Sequence, residues 1–153
     1  MSKISLVPYK CHYGVAAVKM WRDSKEHALG ISELHSFQDQ LDFLNNSLCR
    51  DNVVYLAILG DQTTVAGLLA TDGSRVNQLY VHIEHQKLGI GTQLLDLAKA
   101  MSTGELELFT FAANTAARAF YEKHGFEVVG RGCDNEEGLP HIEYRWNQPT
   151  EQV

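Results

Sequence analysis

Several short segments of the chain are apolar at alternating positions or rich in β-branched residues, and they predict β-strands. The first, Lys3 to Pro8, ends in a proline that favours the edge of a sheet. Val53 to Leu59 and Thr63 to Ala70 are separated by Gly60-Asp61-Gln62, so they predict a hairpin. Arg75 to Ile83 then predicts a third antiparallel strand of the same group.

Apolar residues at helical spacing predict four helices. The first covers Tyr13 to about His27, and the second begins at Ser32 as its N-cap. The second helix carries an apolar stripe assigned to the core: Leu34, Phe37, Leu41, Leu44 and Leu48. The third runs from Ile90 to Met101, and Thr115 to His124 is a short fourth helix that stops at Gly125.

Three further strands are predicted, Leu106 to Phe111, Phe126 to Gly130 and Ile142 to Trp146. The strand before the third helix and the strand after it should be parallel, because a crossover through one helix joins parallel strands. The segment from Cys133 to Pro140 is polar and predicts a loop.

The junction between the strand ending near Ile83 and the third helix has the pattern Gln86-x-x-Gly89-x-Gly91. Glycines in a first helical turn let a ligand approach backbone N–H groups that have no partner within the helix. These groups and the helix dipole predict a phosphate or pyrophosphate site. The alternative is a tight turn without a ligand. A nucleotide triphosphate loop is disfavoured, because Gly91 is not followed by Lys and Ser or Thr.

Two longer motifs surround this pattern. They read Leu79-Tyr80-Val81-His82-x-x-x-Gln86-x-x-Gly89-x-Gly91-x-x-Leu94-Leu95 and Asn114-x-x-Ala117-x-x-Phe120-Tyr121-Glu122-x-x-Gly125-Phe126. In this order they resemble the acetyl-CoA-binding region of the GNAT family of N-acetyltransferases. The resemblance implies a single α/β domain of GNAT fold over residues 1–147, with a flexible tail at 148–153. The implied sheet is mixed and mostly antiparallel, with about six or seven strands and helices on both faces.

The resemblance also implies the activity. A GNAT enzyme uses acetyl-CoA as co-substrate and transfers its acetyl group to a primary amine by direct attack, with no metal and no covalent enzyme intermediate. The acceptor, a small-molecule amine or a protein amino group, is left open. The alternative function is a CoA-binding regulatory or interaction module that transfers nothing. A homodimer is compatible with the resemblance.

The cofactor residues follow by match of motif. Val81 and Ile83 should offer backbone groups to the pantetheine arm. The pyrophosphate should be held by Gln86, Lys87, Leu88, Gly89, Ile90, Gly91 and Thr92. Asn114 lies at a position that contacts the pantetheine arm in many similar proteins, or it is a plain helix N-cap.

Tyr121 lies at the family's position for the general acid. A phenol has a reference pKa of about 10, against about 8.5 for a thiol, so a neutral tyrosine can protonate the departing thiolate. The alternative is a tyrosine that only packs. The Val81 N–H is predicted to hold the carbonyl oxygen of the thioester.

The general base is less clearly marked. His82 and Glu84 follow the strand end, Asp72 is a further candidate, and a water chain needs no dedicated side chain. Strand alternation puts His82 and Glu84 on the face opposite Val81. Many similar sequences have proline where Ile83 stands, so the local backbone path is in question. The segment Trp21-Arg22-Asp23-Ser24 is predicted to wall the acceptor site or to be an ordinary helix end.

Composition and net charge limit the partners and the cellular location that can be expected for the protein. The 153 residues carry a net charge of −6, which disfavours nucleic acid as a partner and is compatible with a cationic acceptor. No apolar segment is long enough for a bilayer, so no membrane is predicted. Three cysteines without a Cys-x-x-Cys pair predict reduced thiols in the cytoplasm.

Overall fold

A computed structural model describes residues 3–60 and 64–149 of the chain. Asp61 and Gln62 of the predicted hairpin turn lie outside these residues. The same holds for residues 150–153 of the predicted tail.

The described strands form two antiparallel sheets. The first has the order β1-β2-β3-β4 and the second the order β5-β7-β6. The strands are β1 (Ile4–Pro8), β2 (Val53–Leu59), β3 (Thr64–Thr71), β4 (Val76–Val81), β5 (Glu105–Phe111), β6 (Glu127–Gly132) and β7 (His141–Asn147). Pro8 therefore lies in an edge strand, as predicted, where its missing N–H costs no ladder bond.

The helices occupy the connections between the strands. They are α1 (Gly14–Leu29), α2 (Phe37–Asp42), a π-helical segment (Phe43–Leu48), α3 (Cys49–Asp51), α4 (Ile90–Met101) and α5 (Thr115–Lys123), with short 3₁₀ turns at Cys11–Tyr13 and Ile83–His85. The predicted first, third and fourth helices are confirmed to within two residues at their ends.

The predicted start of the second helix is wrong. Its N-cap is Ser36, whose hydroxyl accepts a hydrogen bond from the Asp39 N–H at 3.1 Å. Ser32 lies in the irregular link before it. Leu34 belongs to the same link and is exposed, whereas Leu44 and Leu48 are buried. Phe37 and Leu41 are partly buried and pack against the same core, so the assignment of the stripe to the core is wrong only for Leu34.

The core has two layers, one on each face of the sheets. Helices α4 and α5 pack with Leu94, Leu106 and Tyr144 on one face. Helix α1 and the π-helical segment pack with Trp21 and Leu68 on the other. Helices on both faces and mostly antiparallel strands confirm the predicted fold class.

Strands β4 and β5 are parallel neighbours, and they pair only at the residue just before β4 begins. An isolated parallel bridge joins Arg75 to Glu107, and the Glu107 N–H donates to the Ser74 carbonyl at 3.0 Å. Beyond this bridge no ladder pairs β4 with β5 among the described residues. The two sheets therefore separate toward Val81, at the end of β4.

Candidate active site

The end of β4 directs the backbone groups of Val81 toward the gap between the sheets. The His82 N–H donates to the Ala66 carbonyl of β3 at 2.8 Å, so it points toward β3. Successive backbone groups along a strand point to opposite edges, so the N–H and C=O of Val81 point away from β3. The Val81 carbonyl is met by the Gln86 side chain, which donates to it from 3.4 Å.

The strand ends at Val81, two residues earlier than predicted. Ile83 begins the 3₁₀ turn that follows, and the His85 N–H donates to the His82 carbonyl at 2.9 Å. The predicted alternation of faces for His82 and Glu84 is therefore wrong, because no strand continues through them. The cofactor contact assigned to Ile83 stays a prediction.

The glycine loop leads into α4 through two left-handed residues, Lys87 with φ 69° and Gly89 with φ 83°. Gly89 is the N-cap, and its carbonyl accepts from the Gln93 N–H at 3.0 Å. The N–H groups of Ile90, Gly91 and Thr92 therefore have no partner within the helix. The loop residues that precede them, Gln86, Lys87, Leu88 and Gly89, are exposed.

The second glycine of the loop makes room for a neighbour. A Cβ at Gly91 would lie 3.2 Å from Cζ of Phe120 and 3.7 Å from Cγ2 of Val81. Phe120 thus packs α5 onto the first turn of α4. Thr92 Oγ1 also lies 3.3 Å from Nε2 of His124, which sequence reasoning did not connect to the loop.

Tyr121 is buried in the layer below the gap, with 7% of its surface exposed. Its hydroxyl has no hydrogen-bond partner within residues 3–60 and 64–149, so its proton is available to a ligand. Burial, with a smaller contribution from the nearby Tyr80, raises the pKa of Tyr121 above its ordinary value of 10.0. The phenol is therefore neutral at physiological pH, as a general acid must be.

Asn114 caps α5, since its Oδ1 accepts from the Ala117 N–H at 3.1 Å. This confirms the N-cap alternative. A contact with the pantetheine arm through the same side chain stays a prediction.

His82 lies next to a residue of α1. Its Nδ1 accepts from the Glu84 N–H at 3.2 Å, and its Nε2 lies 3.6 Å from Oδ2 of Asp23. With Nδ1 occupied by a backbone donor, the proton of the neutral ring belongs on Nε2, facing Asp23. The sequence pointed to both residues but gave no signal that they meet, because they come from separate elements.

Glu84 is exposed. Together with His82 and His85 it places one ligand atom from each residue within 4.8 Å of the others, a spacing that could hold a metal ion. The expectation that the reaction needs no metal stays a prediction.

The other residues of the predicted acceptor wall, Trp21, Arg22 and Ser24, make contacts that stabilise the fold. Trp21 is buried against Tyr80, with ring centroids 6.5 Å apart. Arg22 donates to the His35 carbonyl at 2.6 Å and holds the link after α1. Ser24 is buried and donates to the Met20 carbonyl at 2.8 Å.

Asp72 does not lie near the gap. Its carboxylate caps the turn before β4, where it accepts from the N–H groups of Ser74 and Arg75. Burial alone would raise the pKa of Asp72, but hydrogen bonds from Ser74, Arg75 and Asn77 outweigh it and lower the pKa. This geometry assigns Asp72 to the turn and not to proton removal at Val81.

Two charged contacts tie the end of α1 and the link after it, residues 30–36, to the polar loop between β6 and β7, residues 133–140. Lys25 Nζ donates to Glu137 Oε1 at 2.7 Å, and His35 Nε2 donates to Glu136 Oε1 at 2.6 Å. Helix α1 also carries Asp23, which lies beside His82 at the end of β4.

The three cysteines are free thiols, and two of them, Cys11 and Cys133, are exposed. None of the described helices has the length and apolar content that a bilayer crossing requires.

Comparison with known proteins agrees with this arrangement. Residues 23–148 match the family model described as "Acetyltransferase (GNAT) domain". A curated relative, peptidyl-lysine N-acetyltransferase YjaB of Salmonella typhimurium, is 25% identical over 128 residues, 84% of this chain and 86% of the relative.

Solved structures share the fold over nearly the whole chain. Apo YjaB of Escherichia coli has a TM-score of 0.76 at 21% identity and covers 96% of this chain and 99% of its own. PaiA N-acetyltransferase of Thermoplasma acidophilum, solved with coenzyme A, has a TM-score of 0.73 at 19% identity over 95% of this chain and 99% of its own. The chain therefore belongs to the GNAT family of acetyl-CoA-dependent N-acetyltransferases.

Proposed function

We propose that this protein acetylates a primary amine by direct attack of the amine on the thioester of acetyl-CoA. The observation that carries the proposal is the gap between β4 and β5. The N–H and C=O of Val81 are directed away from β3 toward this gap, and the unpaired N–H groups of α4 lie at the end of the loop that leaves it. An extended pantetheine arm needs unpaired strand groups, and a pyrophosphate needs free N–H groups at a helix start.

In this proposal the cofactor is bound chiefly by backbone. Val81 pairs with the pantetheine arm, with contributions from Ile83 and Asn114. The loop from Gln86 to Thr92 binds the pyrophosphate. The positive φ of Lys87 and Gly89 supports this role, because alternation of right- and left-handed residues turns consecutive N–H groups toward one side.

The chemical step forms a C–N bond and breaks the C–S bond. The neutral amine attacks the carbonyl carbon, the Val81 N–H stabilises the developing oxyanion, and Tyr121 donates its proton to the CoA thiolate. The amine loses one proton in the same sequence. The products are the N-acetylated amine and CoA.

The amine's proton needs an acceptor, and His82 and Glu84 stay candidates. The geometry favours a third group, Asp23. Its carboxylate is half exposed and lies next to His82 Nε2, whereas the Nδ1 lone pair of His82 is already occupied by the Glu84 N–H. In this proposal Asp23 binds the incoming ammonium, which loses one proton to Asp23 or to a water next to it before the attack and a second by the same route as the C–N bond forms.

The acceptor class follows from the relative's activity and from charge. YjaB of Salmonella typhimurium is a peptidyl-lysine N-acetyltransferase, and a lysine side chain is a primary amine of high pKa. Carboxylates at Asp23, Glu33 and Glu137 suit such a cation. The cytoplasmic location, the homodimer and the single-domain assignment stay predictions.

The experiment has two readouts. In a thermal-shift titration with acetyl-CoA, CoA, ATP and NAD, only acetyl-CoA and CoA should raise the melting temperature. At a ligand concentration of 100 times Kd, binding should add about 2.7 kcal/mol to the free energy of unfolding. Thiol release should then depend on added primary amine. Binding of CoA without release of thiol for any amine would contradict an enzyme and support a CoA-binding module.

A further inference from the structure

Two histidines and one carboxylate are brought together by the turn that follows β4. The His85 N–H closes this 3₁₀ turn by donating to the His82 carbonyl at 2.9 Å. Side chains three residues apart eclipse in a 3₁₀ turn, so the rings of His82 and His85 are neighbours, with centroids 5.7 Å apart. Glu84 belongs to the same turn, and one ligand atom from each of the three residues lies within 4.8 Å of the other two.

The three ligand groups suit a zinc ion. Two imidazole nitrogens and one carboxylate oxygen are a common set of protein ligands for Zn²⁺, with water in the fourth position. Ligand atoms of one tetrahedral zinc ion are about 3.4 Å apart, so each pair in the turn has to close by at most about 1.4 Å. The site is open to solvent, because Glu84 is exposed and both histidines are only half buried.

His82 has the tautomer and the neighbour that are typical of a metal ligand. Its Nε2, which carries the proton of the neutral ring, lies 3.6 Å from Oδ2 of Asp23. Its Nδ1 keeps the lone pair and accepts from the Glu84 N–H at the long distance of 3.2 Å. Histidines that bind metals usually direct their other ring N–H to a carboxylate, which orients the ring and raises its basicity. Asp23 comes from α1, so it supports the site independently of the turn.

The turn borders the proposed reaction centre. His82 directly follows Val81, whose backbone groups are directed toward the gap. Asp23, the proposed partner of the incoming ammonium, lies beside the same His82 ring. A divalent cation bound by His82 therefore adds positive charge next to Asp23 and opposes the approach of an ammonium group.

We propose that His82, Glu84 and His85 bind Zn²⁺ and that the bound ion inhibits acetyl transfer. The ligands are Nδ1 of His82, one ring nitrogen of His85 and the carboxylate of Glu84, and Asp23 orients the His82 ring. The site rests on the geometry of the turn, and only the inhibition rests on the proposed acetyl transfer. Zinc is a regulatory ligand here and not a reactant.

Calorimetric titration of Zn²⁺ into the cofactor-free protein tests the site directly. We expect His85→Asn to raise the Kd for zinc at least about tenfold, because loss of even an outer-shell partner costs that much. Asp23→Asn should raise the Kd about tenfold, since Asp23 orients a ligand without binding the metal. If His85→Asn does not fold, Glu84→Gln takes its place, because that side chain is exposed.

His27→Asn is the matched control. His27 is an exposed histidine of α1 outside the turn, so its loss should leave the Kd for zinc unchanged. The exposed thiols of Cys11 and Cys133 also attract zinc, but every variant keeps them. Within residues 3–60 and 64–149 no second group of three His, Cys, Asp or Glu side chains has the spacing of this turn. Equal Kd values for wild type and His85→Asn would therefore overturn the site.

The inhibition is measured as acetylated amine by mass spectrometry, because zinc also binds the free thiol of CoA and disturbs a thiol assay. Free zinc at about ten times its Kd should raise KM for the amine about tenfold in wild type, as expected for ligands that exclude each other. His85→Asn should turn over like wild type without zinc and require at least about ten times more zinc for the same rise in KM.

The outcomes separate the site from the reaction. If no amine is acetylated, the proposed acetyl transfer fails, and the zinc titration still decides the site. Zinc binding that depends on His85 but leaves KM unchanged would overturn the inhibition and support the site. Equal inhibition of wild type and His85→Asn would overturn the inhibitory role of this turn, because zinc would then act elsewhere.

Discussion

The proposed cofactor side and the proposed acceptor side of this protein are built differently. The cofactor side, residues 81–92 with Tyr121, uses backbone N–H and C=O groups at the end of one strand and the start of one helix. The acceptor side, the end of α1 with residues 30–36 and 133–140, uses charged side chains that meet across the chain, such as Lys25 with Glu137. Backbone recognition needs only a local conformation, whereas side-chain recognition depends on which segments the fold brings together. One side can therefore keep its cofactor while the other changes its acceptor.

The largest expected effect concerns Tyr121, the proposed general acid on the cofactor side. Tyr121→Phe should lower kcat by about a hundredfold when chemistry is rate-limiting, because a positioned general acid contributes about that much or more. The Kd for acetyl-CoA should stay the same, since the cofactor is bound by backbone. Pre-steady-state thiol release and a binding titration measure the two quantities.

Tyr144→Phe is the control for this change. Its ring lies 6.2 Å from that of Tyr121, and its hydroxyl donates to Glu122 at 2.7 Å, away from the gap. It should leave kcat near the wild-type value. Equal rates for wild type and Tyr121→Phe would remove Tyr121 from the mechanism.

Alanine substitutions at two glycines, one on each side, allow a direct comparison of the two sides. Gly89 and Gly30 both have positive φ, 83° and 67°, and a Cβ at either position would meet nothing within 4 Å. Alanine in this conformation costs about 1–2 kcal/mol, so Gly89→Ala should raise the Kd for acetyl-CoA about tenfold. Gly30→Ala should instead raise KM for the acceptor. Two binding curves per variant check this, and a shared effect on both ligands would contradict the division.

The charge at Asp23 gives a smaller effect. Asp23→Asn should lower kcat/KM for the amine about threefold to tenfold, because a half-exposed carboxylate interacts with an ammonium through partly screened charge. The Kd for acetyl-CoA should not change. A loss that disappears at high salt fits this reason, and a loss confined to acetyl-CoA binding would place Asp23 on the other side.

The smallest effect is a pH dependence of the acceptor side. The hydrogen bond to Glu136 and the charge of Glu136 raise the pKa of His35 above its ordinary value of 6.5. The pair therefore stabilises the fold below about pH 6.5 and loses this contribution as pH rises through the raised pKa. Both side chains are half exposed, so the contribution is below about 1 kcal/mol.

His35→Asn measures this contribution. Its melting temperature should fall below that of wild type at acidic pH and match it at alkaline pH. A difference that is constant across pH would mean that packing, and not the ion pair, is lost.

Local sequence signals predicted most of the structural features of the proposed cofactor side. Glycine at a strand-to-helix junction predicted the N–H groups of α4, and Asn114 followed by Gly125 marked the ends of α5. The errors are also informative. Ser32 and Ser36 are both suitable N-cap residues, so the local sequence does not distinguish them. In the folded chain the N-cap is Ser36. The apolar Ile83 extends a strand pattern, yet the 3₁₀ turn ends the strand at Val81.

The sequence by itself determined the order of strands and helices and the glycine loop, because these depend on residues close in the chain. Only the tertiary structure decided that Asp23 meets His82, that Lys25 meets Glu137 and that one oxygen of Glu33 is buried without a partner. Such contacts join segments far apart in sequence. Their formation depends on how α1 and the β6–β7 loop pack around the sheets, which no local pattern specifies.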